Sequence, residues 1–428
     1  MAWRHVQSRS VLLFTRRFLP FLAFSLIIGV IGCGGENRTA PAAEGAPASP
    51  PAPPSNPQRN IRSAFYNFKV MTYAGLVPPP DRPRAGGAVA AFRDGFLLVT
   101  AAGDFFRLSW QPGTDSITAE RLPVSVPFNR ADLLRASSAE LAAPFRITDL
   151  LVDERGGAAR LYVAHHHWDS SANCVTLRVS STTLPSEGAA TWTTVFDSRP
   201  CLTVGDLWSS GEAADRGGGR LALDRRGGLL LSVGDYGFDG LNDKAAFPQL
   251  SGVSYGKILL LDMAGGAVPF SFGHRNPQGL FVDNVGRVWS TEHGPEGGDE
   301  LNLVVRGGNY GWPLATYGTA YDSDVWPLAT DPGSHGRFRE PAEAFVPAVG
   351  ISQLLQVGSK YLARWAGDLL VSSLQAAMLF RVHLVGDRVI YTERLDVSTR
   401  VRDIAEGQGG RILIWNDAGE IASLTLAR

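Results

Sequence analysis

An all-β fold, a six-bladed β-propeller, is predicted for this chain by two observations. A unit of two short apolar strands around a polar turn recurs six times between residues 87 and 415. The composition, with 48 Gly and 27 Pro against 19% charged residues, supplies the turns that many short strands require. One such unit cannot bury both faces by itself, so copies spaced by about 50 to 75 residues are expected to pack as neighbours around a ring. Two stacked β-sandwiches, the competing architecture, do not account for a repeat that runs evenly along the chain.

The copies alternate small and large apolar residues with the period of a strand. The first is Gly87-Ala88-Val89-Ala90-Ala91-Phe92 with residues 96–99, and the second is 147–152 with 161–163. The third pairs Leu221-Ala222-Leu223 with 229–233, and the fourth pairs 279–282 with 287–290. The fifth is 354–357 with 368–371, and the last is 401–405 with 411–414. In a propeller the loops at one end of the channel converge, so residues remote in sequence can build one site.

Ahead of the repeats lies a different kind of sequence. Residues 1–32 carry Arg4, Arg9, Arg16 and Arg17, no acid, and an apolar run too short to span a bilayer, which is the pattern of an export signal. Val30-Ile31-Gly32-Cys33 resembles the lipobox of bacterial lipoproteins, with Cys33 as the acylated first residue of the mature chain; an ordinary cleaved signal is the alternative. Residues 33–60, rich in Pro, Ala and Ser, read as a flexible tether, and the folded part is expected from about Ile61 to the C-terminus. The expected location is the cell envelope, with the membrane touched only through the lipid. Without the four leader arginines, 36 basic residues face 41 acidic ones, and that balance excludes nucleic acid as a partner. Cys174 and Cys201 are the remaining cysteines. In an oxidising compartment they are expected to pair as a structural staple.

Polar chemistry is densest at residues 273–312. Gly273-His274-Arg275-Asn276-Pro277-Gln278-Gly279 is followed by His293-Gly294-Pro295-Glu296-Gly297-Gly298-Asp299-Glu300-Leu301-Asn302 and by Gly308-Asn309-Tyr310-Gly311-Trp312. Glycines let the backbone approach a ligand closely, an arginine fork suits a carboxylate, and backbone oxygens with a carboxylate suit Ca²⁺. A hydrogen-bonded turn cluster is the other reading of these residues. The three motifs, in this order, closely resemble the signature of the aldose sugar dehydrogenases that use pyrroloquinoline quinone, the soluble glucose dehydrogenase and sorbosone dehydrogenase-like family. Weaker agreement covers residue 218 to the C-terminus. That family is a six-bladed propeller, in accord with the repeat count.

The resemblance implies a sugar oxidised at its anomeric carbon, with electrons passed through the quinone to an external acceptor. It implies that Arg275, Asn276, Gln278, Gln375, Arg400 and Arg402 contact the tricarboxylate cofactor. Backbone carbonyls of Gly294 and Pro295 would hold its Ca²⁺, and Glu300 with Tyr310 would match a second, structural calcium. A histidine in the family removes the hydroxyl proton, oriented by an aspartate that corresponds to Asp235. Two positions depart from this pattern. Arg216 stands where that histidine is expected, and an arginine stays protonated and cannot act as the base. Gln375 stands where a lysine is typical, and it carries no charge. The departures leave two readings, an enzyme with a displaced base and a propeller that binds a sugar or quinone-like ligand without turnover. A displaced base is sought at His165-His166-His167, whose alternating directions argue against a shared metal. Gly252-Val253-Ser254-Tyr255-Gly256 has hydrolase spacing, but a strand-like run follows it where a nucleophile elbow needs a helix.

Overall fold

The computed structural model describes residues 57–427 apart from 83, 112–113, 138–144, 187, 206–214, 242–243, 263 and 408. Cys33 and the leader lie outside the described residues, as does the tether up to residue 56. The chain opens with β1 (Gln58–Arg62) and β2 (Asn67–Tyr73), slightly earlier than expected. The first blade is β3 (Ala88–Phe92), β4 (Gly95–Val99), β5 (Asp104–Trp110) and β6 (Ile117–Ser125). A short helix, α1 (Arg130–Ala136), leads to the second blade, β7 (Ile147–Asp153), β8 (Arg160–Asp169), β9 (Cys174–Thr183) and β10 (Thr193–Asp197), with β11 (Leu202–Thr203) paired to β9. The third is β12 (Gly218–Leu223), β13 (Leu229–Val233), β14 (Lys257–Leu261) and β15 (Ala267–Phe272). The fourth is β16 (Pro277–Val282), β17 (Val288–Glu292), β18 (Asp299–Val304) and β19 (Glu343–Phe345). The fifth is β20 (Ile351–Gln356), β21 (Leu369–Ser373), β22 (Met378–Val385) and β23 (Arg388–Asp396). The last is β24 (Val401–Gly407), β25 (Arg411–Asn416) and β26 (Ile421–Leu426).

Each sequence repeat is the first and second strand of one blade, paired antiparallel. The first strands of successive blades touch around a closed circuit, β3 to β7, β12, β16, β20, β24 and back to β3. That circuit makes six blades in a ring. The last blade takes its outer strands from the start of the chain, in the order β24, β25, β26, β2, β1. Antiparallel pairing of β2 with β26 runs from Phe68–Leu426 to Tyr73–Ile421 and closes the ring with hydrogen bonds between the two ends of the propeller.

Apolar clusters fill the space between neighbouring blades. Phe96, Leu98, Leu413 and Trp415 join the last blade to the first, while Trp289, Leu301, Val371 and Phe380 join the fourth to the fifth. At Trp289 and Trp365 the exposure is 0%. Burying side chains of that size on faces that a lone blade would leave wet is what makes the ring mutually dependent. The strand β14 after Gly256 rules out a nucleophile elbow at Ser254.

Cys174 and Cys201 are bonded, with Cα atoms 5.6 Å apart, and the bridge ties the start of β9 to the segment that leads into β11. It closes 27 residues, for which loop-closure entropy gives about 3.5 kcal/mol. Cys174→Ser is therefore expected to lower denaturant stability by about that amount. Dithiothreitol is expected to lower the wild-type midpoint and to leave the variant's where it was; an equal response of both would show that the bridge contributes nothing.

Candidate active site

Residues within a few positions ahead of the first strand of each blade line one mouth of the channel. Arg146 precedes β7, Arg216 precedes β12 by two residues, Arg275 and Asn276 precede β16, Gly350 precedes β20, and Arg400 precedes β24. Arg84 stands four residues before β3. All of these line a single cavity of about 540 Å³, joined by Asp215, Gln278, His293, Gly294, Pro295, Asp299, Tyr321, Leu374, Gln375 and Arg402. Six arginines thus surround one space. Arg84 and Arg146 carry no motif and were not expected; their shared position ahead of a first strand is the signal that finds them.

Bulges help to aim these side chains. Pairing shifts at residues 147/149, 218/221, 277/279, 351/354 and 401/403, at the cavity end of five inner strands. A bulge leaves its extra residue unpaired and turns its side chain. Gln278 and Arg402 lie within two of them, and Arg402 Nη1 donates to Gln278 Oε1 at 3.2 Å. Asp417 sets Arg402 beside Arg400: its Oδ1 accepts from Arg402 Nε at 2.7 Å, and its Oδ2 accepts from Arg402 Nη2 at 3.2 Å and from Arg400 Nε at 3.1 Å. Burial pushes the Asp417 carboxyl up, but the two guanidinium groups outweigh it and hold the carboxyl below its ordinary value.

Arg275 is 4% exposed. Its guanidinium lies 5.3 Å from the centre of the Trp312 ring and its Nη1 donates to the His293 carbonyl at 3.3 Å, while its buried Nε has no hydrogen-bond partner among the described residues. A buried donor left unmade is costly, and Arg275 lines the cavity, so its guanidinium has hydrogen-bonding capacity to offer an anionic ligand there. Gly273 opens this motif at φ +76°, where a Cβ would also stand 2.1 Å from Asn309 Oδ1. Asn276 Oδ1 accepts from Gln278 Nε2 at 2.8 Å, and Asn276 Nδ2 donates to the Asp215 carbonyl at 3.4 Å.

Asp235 lies behind the cavity at 0% exposure and accepts from Trp312 Nε1 at 2.8 Å and from the Gly237 amide at 2.8 Å. Burial pushes its carboxyl up, against the pull of Arg216 and Arg275. Arg216 Nη1 donates to Asp239 Oδ2 at 2.8 Å and stands 3.8 Å from Asp235 Oδ2. Gly234 permits this approach, since a Cβ there would lie 1.7 Å from the Arg216 carbonyl oxygen. Gln375 lines the cavity and brings no charge to its side of the wall.

The histidine run does not reach the cavity. His165 bonds Ser180 Oγ at 2.9 Å, and His166 accepts the Arg146 amide at Nδ1, 3.1 Å away, so its Nε2 donates to the Tyr236 hydroxyl at 3.0 Å. Burial pulls His165 down to about 4 and His166 to about 3, so both are neutral packing groups, not a displaced base.

Gly294 and Pro295 line the cavity wall, and the Gly294 amide donates to Asp299 Oδ1 at 3.1 Å. Among the described residues no group of three or more His, Cys, Asp or Glu is arranged to hold a metal, so a cation at this wall would rest on backbone oxygens and on its ligand. Glu300 and Tyr310, expected as a second calcium site, do not fit one. Glu300 accepts from His335 Nε2 at 2.9 Å and from Asn302 Nδ2 at 3.1 Å. The Tyr310 hydroxyl donates to the Leu303 carbonyl at 2.6 Å and accepts the Val305 amide at 3.0 Å. Burial lowers His335, yet the Glu300 hydrogen bond and charge outweigh it and raise the imidazole above its ordinary value. A cation at Glu300 would have to displace that partner, so no calcium is assigned there.

A family model described as glucose/sorbosone dehydrogenase matches residues 149–424. The chain belongs to the glucose/sorbosone dehydrogenase family. It is 28% identical over 252 residues, 54% of its length, to the aldose sugar dehydrogenase of Escherichia coli, and 29% identical over 280 residues, 60% of its length, to an uncharacterized protein of Synechocystis. These alignments span 63% and 64% of those curated relatives. The PQQ-bound form of aldose sugar dehydrogenase from Streptomyces coelicolor has a similar fold, with a TM-score of 0.57 and 20% identity, over 87% of this chain and 100% of that one. The model begins within the second blade. Arg84 and Arg146, on the two blade entries ahead of it, complete the ring of cations that this glucose/sorbosone dehydrogenase family member places around its cavity.

Proposed function

We propose that this protein is a quinoprotein dehydrogenase of the bacterial cell envelope that oxidises an aldose at its anomeric carbon, using pyrroloquinoline quinone and one calcium ion, and passes the electrons to an external acceptor. The observation that carries this reading is the set of cations in one cavity, with Arg275 and the Asp417-paired Arg400 and Arg402 lining it. A tricarboxylate suits such a wall: Arg275, Arg400 and Arg402 would bind its carboxylates, Asn276 and Gln278 its remaining oxygens, and Gly294 with Pro295 the cation beside it. When bound, the ortho-quinone supplies a two-electron acceptor for a hydride. Glutamine at 375 leaves that wall without the cation that the family pattern supplies, which weakens support for the reduced cofactor. The sugar, the acceptor and the membrane attachment through Cys33 belong to this proposal.

A second reading, cofactor or sugar binding without turnover, is favoured by one observation. Arg216, in the position of the expected base, is held on Asp239 at 2.8 Å and remains a cation. The two are separated by adding pyrroloquinoline quinone and Ca²⁺ to the purified protein and following both calorimetric binding and aldose-dependent dye reduction. The dehydrogenase reading expects both signals. Binding without reduction would leave the second reading, and Arg216→His is then expected to create turnover with unchanged cofactor affinity.

A further inference from the structure

We propose that Asp215 is the catalytic base of this site, a role that rests on the dehydrogenase reading. Four side chains lining the cavity could accept a proton, namely Asp215, His293, Asp299 and the phenolate form of Tyr321. Both oxygens of Asp299 are committed to backbone amides, Oδ1 to Gly294 at 3.1 Å and Oδ2 to Val349 and Ile351 at 3.0 Å each. The Nε2 of His293 is engaged with the Ile351 carbonyl, which can only accept, so that nitrogen carries the proton and cannot take up another. Tyr321 is 61% exposed, and its hydroxyl already carries a proton of its own.

Asp215 differs from all three. Its side chain is 53% exposed toward the cavity, Oδ1 accepts Arg146 Nη1 at 3.1 Å, and Oδ2 has no hydrogen-bond partner among the described residues. Its backbone carbonyl is held from two sides, by Arg146 Nη2 at 3.0 Å and by Asn276 Nδ2 at 3.4 Å. One oxygen is therefore fixed by a cation and the other is left open, between the entrance of the second blade and the motif that opens the fourth. Chain neighbour Arg216 turns its charge onto Asp239. The base lost at position 216 is replaced by the carboxylate one residue earlier.

The step balances. The anomeric hydroxyl proton would pass to Asp215 Oδ2, the O–H electron pair would form the second C–O bond of a lactone, and the C–H pair would leave as hydride to the two-electron acceptor that bound pyrroloquinoline quinone would supply. Two electrons leave the sugar, and one proton rests on the carboxylate.

The test uses the full chain loaded with pyrroloquinoline quinone and Ca²⁺. Asp215→Asn is expected to lower kcat for the aldose by about 10² to 10⁴, with the calorimetric Kd for the cofactor unchanged, because the backbone carbonyl of residue 215 keeps Arg146 Nη2 and Asn276 Nδ2 and the amide oxygen of Asn can still accept Arg146 Nη1. Asp215→Glu is expected to restore part of the loss. In Asp215→Ala, added formate is expected to raise turnover in proportion to its concentration, which a purely structural carboxylate would not do. A wild type that turns over while Asp215→Asn stays equally active overturns the base assignment alone. Failure of formate in a folded, cofactor-binding Asp215→Ala also counts against it. A wild type that binds cofactor but oxidises no aldose overturns the base assignment and the dehydrogenase reading together.

Discussion

Arg402→Ala is expected to weaken pyrroloquinoline quinone binding by about 10² to 10³, or roughly 3 to 4 kcal/mol, whereas Arg400→Ala costs about tenfold or less. The difference comes from solvent. Arg402 is 6% exposed, and three of its N–H groups are placed by Asp417 and Gln278 before any ligand arrives. A carboxylate that meets such a guanidinium gains a charge-assisted bond in a site where the protein has already ordered the donor. Arg400 shares Asp417 through Nε alone, and its side chain is 39% exposed, so water competes for whatever it binds. Titration calorimetry of the two variants with the cofactor and Ca²⁺ measures the contrast. Equal losses would mean that bulk positive charge, not the preset fork of Arg402, holds the anion, and an unchanged Kd in Arg402→Ala would remove the cofactor from this wall altogether.

The ring itself was legible in the sequence because its signal is local and repeated. Residues 229–233, for example, read as a strand from their apolar run and turn, and β13 occupies those residues. The closure was not legible. Strands β1 and β2 sit among ordinary polar alternation, and only the pairing of β2 with β26, more than three hundred residues away, gives β2, and β1 beside it, a place. The same divide runs through the site. The motif around Arg275 could be read because it is contiguous, and Arg400 with Arg402 because a known pattern covers them. Arg84 and Arg146 could not, since an arginine before a strand has no signature of its own and acquires one only when six strand starts are brought to one mouth. Glu300 shows the opposite case: its sequence context suggests a metal, and only the fold brings His335, from the long connection to β19, onto its carboxylate.

Arg220→Met is expected to destabilise the folded protein by about 3 to 5 kcal/mol at neutral pH, the cost of leaving buried carboxylates without their cation. Arg220 stands in the channel beneath the cavity at 2% exposure, with Nη1 at 3.1 Å from Asp149 and 3.3 Å from Asp403. Burial already pushes Asp149 up to about 7 against the pull of Arg220, and Asp403 is raised by the same cause. A carboxyl whose folded pKa lies above its unfolded value gives stability that is complete below the unfolded value and is lost as pH rises through the folded one. For Asp149 in the wild type that window runs from 3.8 to about 7. Without Arg220 the folded value moves further up, so the variant goes on losing stability at pH where the wild type has levelled off. Denaturant melts at pH 5 and pH 8 should therefore show a small deficit at the lower pH and a larger one at the higher. A deficit independent of pH would mean that lost packing, not unpaired charge, dominates. Arg220 also reaches the cofactor wall, because its Nη2 donates to the Arg402 carbonyl at 2.7 Å and its Nε to the Gln278 carbonyl at 2.8 Å. Those bonds anchor the two bulges that present Arg402 and Gln278. At pH 5, where the variant keeps most of its fold, weakened cofactor binding would separate this anchoring role from global stability.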